Sequence, residues 1–482
     1  MSRIFRIFSR REALLFLLFL VCYSYFYYPG GWNENSRYDL IYSIVNEGKL
    51  YIDSYHENTQ DKSFYDGHYY SDKAPGSSFL GSVVYLIIRP FVANPALAEY
   101  LIRFFIVSLP SAFLCVLIYR FSGQFTRKEK YRLMASIAYG LGTMAFPYSI
   151  LFFGHQISSA ILFSGFYVIS GKKENLDAKA MLMSGMLFGL AFITEYTTII
   201  ISILASFYAF YFLKNKKGIL LLIAGFIPPL VLLFAYNYIC FGSPVAVGYS
   251  LLSYPESSAF QSQGFFGIAA PGLQSIYGIL LSPYRGLFFF SPFLLLSIPG
   301  FYYFHKNKKL KGEFMLFLLS ALAFIAWNSG YAVWWGGWAL GPRHLVPALP
   351  FMILPAIFCL ERWGNWRRYV AYVLLAISIF MISAATVTDP NLPEKKYNPF
   401  FEHTLPLISK GETGFNLGNL VGLQGTFSLI PLFAVLIAIC FLLLNGMRMI
   451  YGKNKTHSLG FAGILSRKRH PHTNEISPHT LG

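Results

Sequence analysis

The stretch RREALLFLLFLVCYSYFYYPG, residues 10–30, decides the fold. Arg3, Arg6, Arg10 and Arg11 precede an apolar run over 13–28, which closes in tyrosines and then Pro29-Gly30. A basic flank before an apolar run is how a secretory signal begins, but no small-residue cleavage site follows. The run therefore reads as an uncleaved first membrane span. Its basic end is cytoplasmic and its outer end carries an aromatic belt.

The same alternation of apolar runs and short basic clusters continues down the chain. Of the 482 residues, 55% are hydrophobic, 18% aromatic and 13% charged, against about 25% charged in a soluble domain. The runs have helical length, which points to an all-α polytopic transmembrane bundle and excludes the alternating pattern of a membrane barrel. The net charge of +17 marks orientation rather than nucleic-acid binding, because the cations sit between apolar runs. The clusters are Arg127-Lys128-Glu129-Lys130, Lys172-Lys173, Lys214 to Lys217, Lys306 to Lys311, Arg362 to Arg368 and Arg467-Lys468-Arg469.

With every cluster cytoplasmic, the chain forms about twelve spans and both termini are cytoplasmic. The spans lie near 13–29, 98–119, 132–150, 155–170, 179–194, 196–213, 218–239, 286–304, 314–330, 344–360, 368–387 and 428–448. Residues 77–93, which contain Arg89-Pro90, and residues 274–284 are left over and read as re-entrant or interfacial. One transmembrane domain over 1–450 in a cell membrane is expected, followed by a polar, disordered cytoplasmic tail over 451–482. Cys22, Cys115, Cys240, Cys359 and Cys440 fall in or beside apolar runs without a Cys-x-x-Cys pair, so neither zinc nor a disulfide framework is indicated.

Three outer segments are long: 30–76, 240–285 and 388–427. The first carries eight carboxylates and ends in Ser71-Asp72-Lys73-Ala74-Pro75-Gly76; short interfacial helices are expected in it. The unusual polar residues collect on this side. They are Glu34, Asp39, Asp66, Asp72 and Lys73 in the first loop, Gly154-His155-Gln156 and Glu195 at outer turns, and Arg285 after the second long loop. Trp334-Trp335-Gly336-Gly337-Trp338 then leads into Gly341-Pro342-Arg343-His344. Singly, each has an ordinary role as a solvated carboxylate, a turn histidine or an interfacial tryptophan. Together they describe an acidic and basic pocket at the outer membrane face.

Carboxylates serve as general bases toward a hydroxyl. Lys and Arg hold phosphate, and aromatic rings stack on sugars and apolar chains. The set suits glycosyl transfer from a lipid phosphate carrier. An acceptor hydroxyl attacks the sugar carbon and the lipid phosphate leaves, its charge met by fixed cations. A nucleotide-sugar site is not indicated: there is no soluble α/β domain and no Asp-x-Asp in any loop.

Glu34-Asn35-Ser36-Arg37-Tyr38 and Asp72-Lys73-Ala74-Pro75 resemble motifs of the GT-C superfamily of integral-membrane glycosyltransferases. The similarity is to the branch holding bacterial aminoarabinose transferases and protein O-mannosyltransferases, whose first outer loop reads Asp-Glu-x-Arg-Tyr and later Glu/Asp-Lys-Pro-Pro. Asn35 stands in place of the second acid and Ala74 in place of a proline. The resemblance implies a polyprenyl- or dolichyl-phosphate sugar donor, inversion at the anomeric carbon and reaction on the non-cytoplasmic face. It implies Glu34 as base or acceptor-orienting group, a role Asp39 or Asp66 could share, and Lys73 on the lipid phosphate. His155 could be a base or orient the acceptor.

The catalytic candidates are thus Glu34, Asp39, Asp66 and His155. The donor-binding candidates are Arg37, Tyr38, Asp72, Lys73, Glu195, Arg285, Trp335, Trp338, Arg343 and His344. No cofactor is assigned. A divalent cation on Asp53, Asp61 or Asp66 lacks tight ligand spacing. The partners expected are the bilayer, a polyprenyl-phosphate-linked sugar and a hydroxyl-bearing acceptor of unidentified class, with no nucleic acid. A transporter or flippase of lipid-linked glycans would need ionisable residues at midplane and inner ends, where only loop clusters occur. A polymerase or ligase would take a diphosphate-linked oligosaccharide on the same face.

Overall fold

The computed structural model describes residues 8–173 and 175–443. The tail 451–482, Arg3 and Arg6, and the end of the expected span 428–448 lie outside the described residues. The regular structure of the described residues is helical apart from one two-stranded hairpin and a few isolated bridges.

Among the described residues, six helices are long and apolar enough to cross a membrane: Pro95–Ser122, Lys216–Phe241, Lys308–Gly330, Arg343–Arg362, Asn365–Thr388 and Gly425–Leu443. The other six expected spans also fall on helices, among them Arg10–Ser24, Glu129–Gly142, Gly154–Gly171 and Ala178–Thr194. Near 286–304 the span is broken into Leu287–Phe290, Pro292–Leu296 and Ser297–His305. Of the two leftover segments, Gly76–Ile88 has 13 residues, about 20 Å of helix against a hydrocarbon core of about 30 Å. Leu273–Leu280 is shorter still.

Local chemistry sets the helix ends. The Ser9 side chain accepts from the Glu12 amide and Glu12 accepts from the Ser9 amide at 2.8 Å, a reciprocal cap for Arg10–Ser24. The basic clusters are tied to acids on neighbouring helices: Arg120 to Glu12 at 2.8 Å, Lys128 to Glu361 at 2.8 Å, Lys173 to Glu313 at 2.6 Å, and Arg11 to Glu129.

The closest helix contact joins Ala178–Thr194 to Ile219–Phe241. A Cβ on Gly185 would lie 1.9 Å from the Leu222 carbonyl oxygen, and one on Gly225 would lie 2.2 Å from that of Leu182. Gly185 and Gly189 form a Gly-x-x-x-Gly pair, and the backbones touch where side chains would otherwise keep them apart.

The first outer segment holds the helix Trp32–Tyr42 and the hairpin of Lys62–Tyr65 with His68–Ser71. Asp66 (φ 48) and Gly67 (φ +80) turn it, the two positive φ angles that match strand twist in a tight hairpin. The middle outer segment adds to this edge: the Phe64 amide donates to the Leu251 carbonyl at 3.0 Å and the Ser253 amide to that of Lys62 at 3.1 Å. The last outer segment joins through the Leu417 amide to the Tyr25 carbonyl at 2.9 Å, and through the Ala339 amide to the Leu392 carbonyl at 3.2 Å. The long segments are therefore stitched to the same helix ends.

Candidate active site

The site is built around the end of Ala178–Thr194. A Cβ on Gly76 would meet Thr194 Oγ1 at 2.6 Å, and one on Gly154 would meet the Thr194 carbonyl oxygen at 2.7 Å. Two residues without side chains let the close of the first loop and the start of Gly154–Gly171 press on one helix end. Lys73, His155 and Glu195 are carried there by those three backbones.

Glu34 is 2% exposed. One carboxylate oxygen accepts from the Gly31 amide at 3.0 Å, closing the N-terminus of Trp32–Tyr42. Its other oxygen is buried with no hydrogen-bond partner among the described residues. Burial pushes the carboxyl above its usual range, against the pull of the Gly31 amide, Arg37 and Arg343. A buried carboxyl with a raised pKa and a spare oxygen is a stronger base than a solvated one.

Arg37 lies one helical turn on. It donates through Nε to Ser77 Oγ at 3.2 Å and through one terminal nitrogen to the Asn33 carbonyl at 2.8 Å. The other terminal nitrogen faces Gly154, 3.3 Å from where a Cβ would stand, beside a Glu195 oxygen at the same distance. That nitrogen makes no hydrogen bond among the described residues. Glu195 Oε2 lies 2.9 Å from His155 Nδ1, close enough for an ion pair but not aligned as a hydrogen bond.

Arg343 places its guanidinium over the Phe153 ring at 5.1 Å. Among the described residues its buried Nε has no hydrogen-bond partner, and no acid pairs with it. The His344 ring stands edge-on to His155 at 5.3 Å, to Tyr331 at 5.4 Å and to Trp327 at 5.5 Å, with Nε2 buried and unpartnered.

Lys73 is held differently. Its Nζ lies 2.8 Å from Asp61 Oδ2 and 2.9 Å from Asp72 Oδ2, and 5.6 Å from the Tyr249 ring. Burial works against the ammonium charge, but Asp61 and Asp72 overcome it and hold its pKa above the usual lysine range. Electrostatic coupling links the whole group: Glu34, Asp61 and Glu195 each feel both Arg37 and Arg343.

Glu34, Arg37, Asp72, Lys73, His155, Glu195, Arg343 and His344 thus gather from five separated stretches. The other candidates stand apart. Asp39, on another face of Trp32–Tyr42, is 1% exposed and accepts from Asn58 Nδ2 at 3.1 Å. Its Oδ2 is unpartnered, and burial pushes its carboxyl up to about 7 against the Asn58 hydrogen bond. Tyr38 stacks on Phe152 at 4.7 Å and donates to the Glu99 carbonyl. Asp66 is exposed at the hairpin tip. Arg285 is fully buried and its guanidinium donates to the carbonyls of Tyr284, Trp335, Gly337, Leu392 and Pro393 at 2.9–3.3 Å. Trp335 Nε1 donates to Glu394 at 3.2 Å, and Trp338 is 55% exposed.

Asp53 pairs with His68 at 2.6 Å. Among the described residues no three His, Cys, Asp or Glu side chains come together as metal ligands. Sequence reasoning passed over Asp61 as a member of the site, along with Tyr249 and Tyr331. The signal for Asp61 was the Asp-Gly hairpin turn, whose register sets it opposite Asp72.

No family model and no curated protein matches the chain. The chain is similar in structure to ArnT. The crystal structure of ArnT from Cupriavidus metallidurans in the apo state matches at a TM-score of 0.48 with 13% identity, over 82% of this chain and 67% of that one. The structure of the same protein bound to undecaprenyl phosphate matches at 0.45 with 12% identity, over 82% and 68%. Likeness at this level carries no inference about chemistry.

Proposed function

We propose that the chain is a membrane glycosyltransferase of the GT-C kind. It moves a sugar from a polyprenyl-phosphate carrier to an acceptor hydroxyl on the non-cytoplasmic face, with inversion. One observation carries this: buried, unpartnered polar atoms of Glu34, Arg343 and His344, with a spare Arg37 nitrogen, surround a lysine and a His–Glu pair at one end of a helical bundle. A buried polar atom without a partner calls for a physical explanation, and here the atoms of three residues that lie in one another's fields are explained together by a ligand that completes their hydrogen bonding.

In this scheme the free oxygen of Glu34 takes the proton of the acceptor hydroxyl as it attacks the anomeric carbon. Arg343, Arg37 and Lys73 meet the charge growing on the departing lipid phosphate. His155, oriented by Glu195, stands on the acceptor side. Arg285 takes no part in the transfer, because its donors are already taken by carbonyls that it ties together. The aromatic wall of Tyr249, Tyr331 and Trp327 faces the sugar or the first isoprene units.

The test is transfer of labelled sugar from a polyprenyl-phosphate-linked donor by purified protein. Glu34→Gln is expected to lose about 10²–10⁴-fold in rate, and Lys73→Ala to lose donor binding. Full activity in both variants, with folding intact, would remove the site assignment. Activity only with diphosphate-linked donors would point to a polymerase or ligase.

A further inference from the structure

Asp61 stands where nothing in the catalytic scheme requires a carboxylate. The hairpin register pairs Lys62 with Ser71, so the next positions outward, Asp61 and Asp72, face each other. Two carboxylates side by side repel unless a cation lies between them, and Lys73 supplies it at 2.8 and 2.9 Å. The two acids are not equivalent. Asp72 is 4% exposed, takes an aligned hydrogen bond from Lys73 and accepts a second from Ser36 at 3.3 Å. Asp61 is 25% exposed and its carboxylate has Lys73 as its sole ion-pair partner among the described residues.

Asp61 also lies in the overlapping fields of Lys73, Arg343 and Arg37, which hold its carboxyl below the usual range despite burial. A phosphate ester entering there would meet the same three cations, with one negative charge on the sugar-linked diester and nearly two on the free carrier monoester. A carboxylate and a phosphate ester present the same face to a lysine, negative charge spread over oxygens. The strap before the hairpin bears on its neighbours through the Thr59 hydroxyl, which donates to the Trp32 carbonyl at 2.7 Å and accepts from the Asp61 amide at 3.0 Å. The Asp61 backbone is thus held through Thr59 and not through its carboxylate.

We infer that Asp61 is a displaceable stand-in for the donor phosphate, occupying Lys73 in the unliganded protein and leaving it when a polyprenyl phosphate enters, while Asp72 stays as the fixed partner. The inference rests on the proposed donor site. Asp61 is then a specificity-setting residue: it keeps Lys73 positioned and charged, and any anion must outcompete it. Neutral or weakly anionic lipids cannot, whereas a phosphate joined by Arg343 and Arg37 can.

The experiment measures binding of farnesyl phosphate to the full chain in detergent for wild type, Asp61→Asn, Asp72→Asn and Lys73→Ala, with thermal unfolding recorded for each. Asp61→Asn is expected to bind about tenfold tighter, and Asp72→Asn and Lys73→Ala are expected to bind more weakly. If Lys73→Ala weakens binding but a folded Asp61→Asn binds equally or less tightly, the stand-in role is overturned and the donor site remains. Should Asp61→Asn fail to fold, Asp61→Ser and the salt dependence of wild-type binding are measured instead. Tighter binding by Asp61→Ser, and wild-type affinity that changes less steeply with salt than that of Asp61→Ser, are expected; the opposite order overturns the role. If no variant changes and wild type binds no better than Lys73→Ala, both the role and the donor site fail.

Discussion

Asp39 offers a test that depends on no substrate. Its folded carboxyl is raised from 3.8 to about 7 because it is buried with Oδ2 unpartnered. The folded protein therefore holds this proton more tightly than the unfolded chain. The resulting stabilisation is fully present below pH 3.8 and is lost as pH rises through about 7. Integrating over the two pKa values, the loss between pH 5 and pH 8 is about 2–3 kcal/mol. Asp39→Asn lacks this dependence. The amide still accepts from Asn58, and an unpaired buried amide costs about 1–3 kcal/mol at every pH. The sign at one pH is thus less informative than the change between two. Unfolding in detergent, followed by tryptophan fluorescence, should show the variant gaining on wild type by about 2–3 °C from pH 5 to pH 8. A difference that stays constant, or moves the other way, refutes a buried carboxylate ionising in the folded state.

Other substitutions separate scaffold from chemistry. Gly185→Leu drives a side chain into the Leu222 carbonyl, 1.9 Å from the first added atom; it should destabilise by about 3 kcal/mol or more, read as a lowered unfolding temperature. Arg285→Ala strands five carbonyls and should destabilise by about 3–5 kcal/mol, measured the same way, with Arg285→Lys recovering only part because an ammonium cannot fan out to them. Arg343→Ala should leave stability within about 1 kcal/mol but lower transfer about a hundredfold; equal losses in both measurements would make Arg343 structural.

Legibility in the sequence followed the range of the interactions. The helical spans were readable because apolar length and basic flanks are local, and each expected span lies on a helix. Their spanning lengths were less so: the segment near 286–304 breaks at Ser291-Pro292, and Arg10–Ser24, Glu129–Gly142, Ala178–Thr194 and Tyr196–Phe212 stay short. Glu34 and Arg37, one turn apart, could be set on one helix face by spacing alone. His155, Glu195 and Arg343 could be assigned to one end of the bundle, but not to contact with one another, because Gly76 and Gly154 set that contact and a glycine in a turn announces no neighbour. Asp61 was missed because pairing register, not composition, makes it face Asp72. The Asp66-Gly67 turn that fixes the register was visible, but Asp66 drew attention as a carboxylate rather than as a turn residue. Arg285 shows the converse: a lone arginine after an outer loop gives no sign of how many carbonyls will converge on it.

The glycine seam between Ala178–Thr194 and Ile219–Phe241 has a mechanical consequence. The 17-residue helix is about 25 Å long and falls short of the bilayer core, whereas Lys216–Phe241, at 26 residues, is about 39 Å and exceeds it. Interlocked carbonyls prevent the pair from sliding to suit both lengths, so they lean as one strut. Glu195 caps the shorter member. A change in bilayer thickness is then met by both helices together, and Glu195, at the end of the shorter one, travels with the pair.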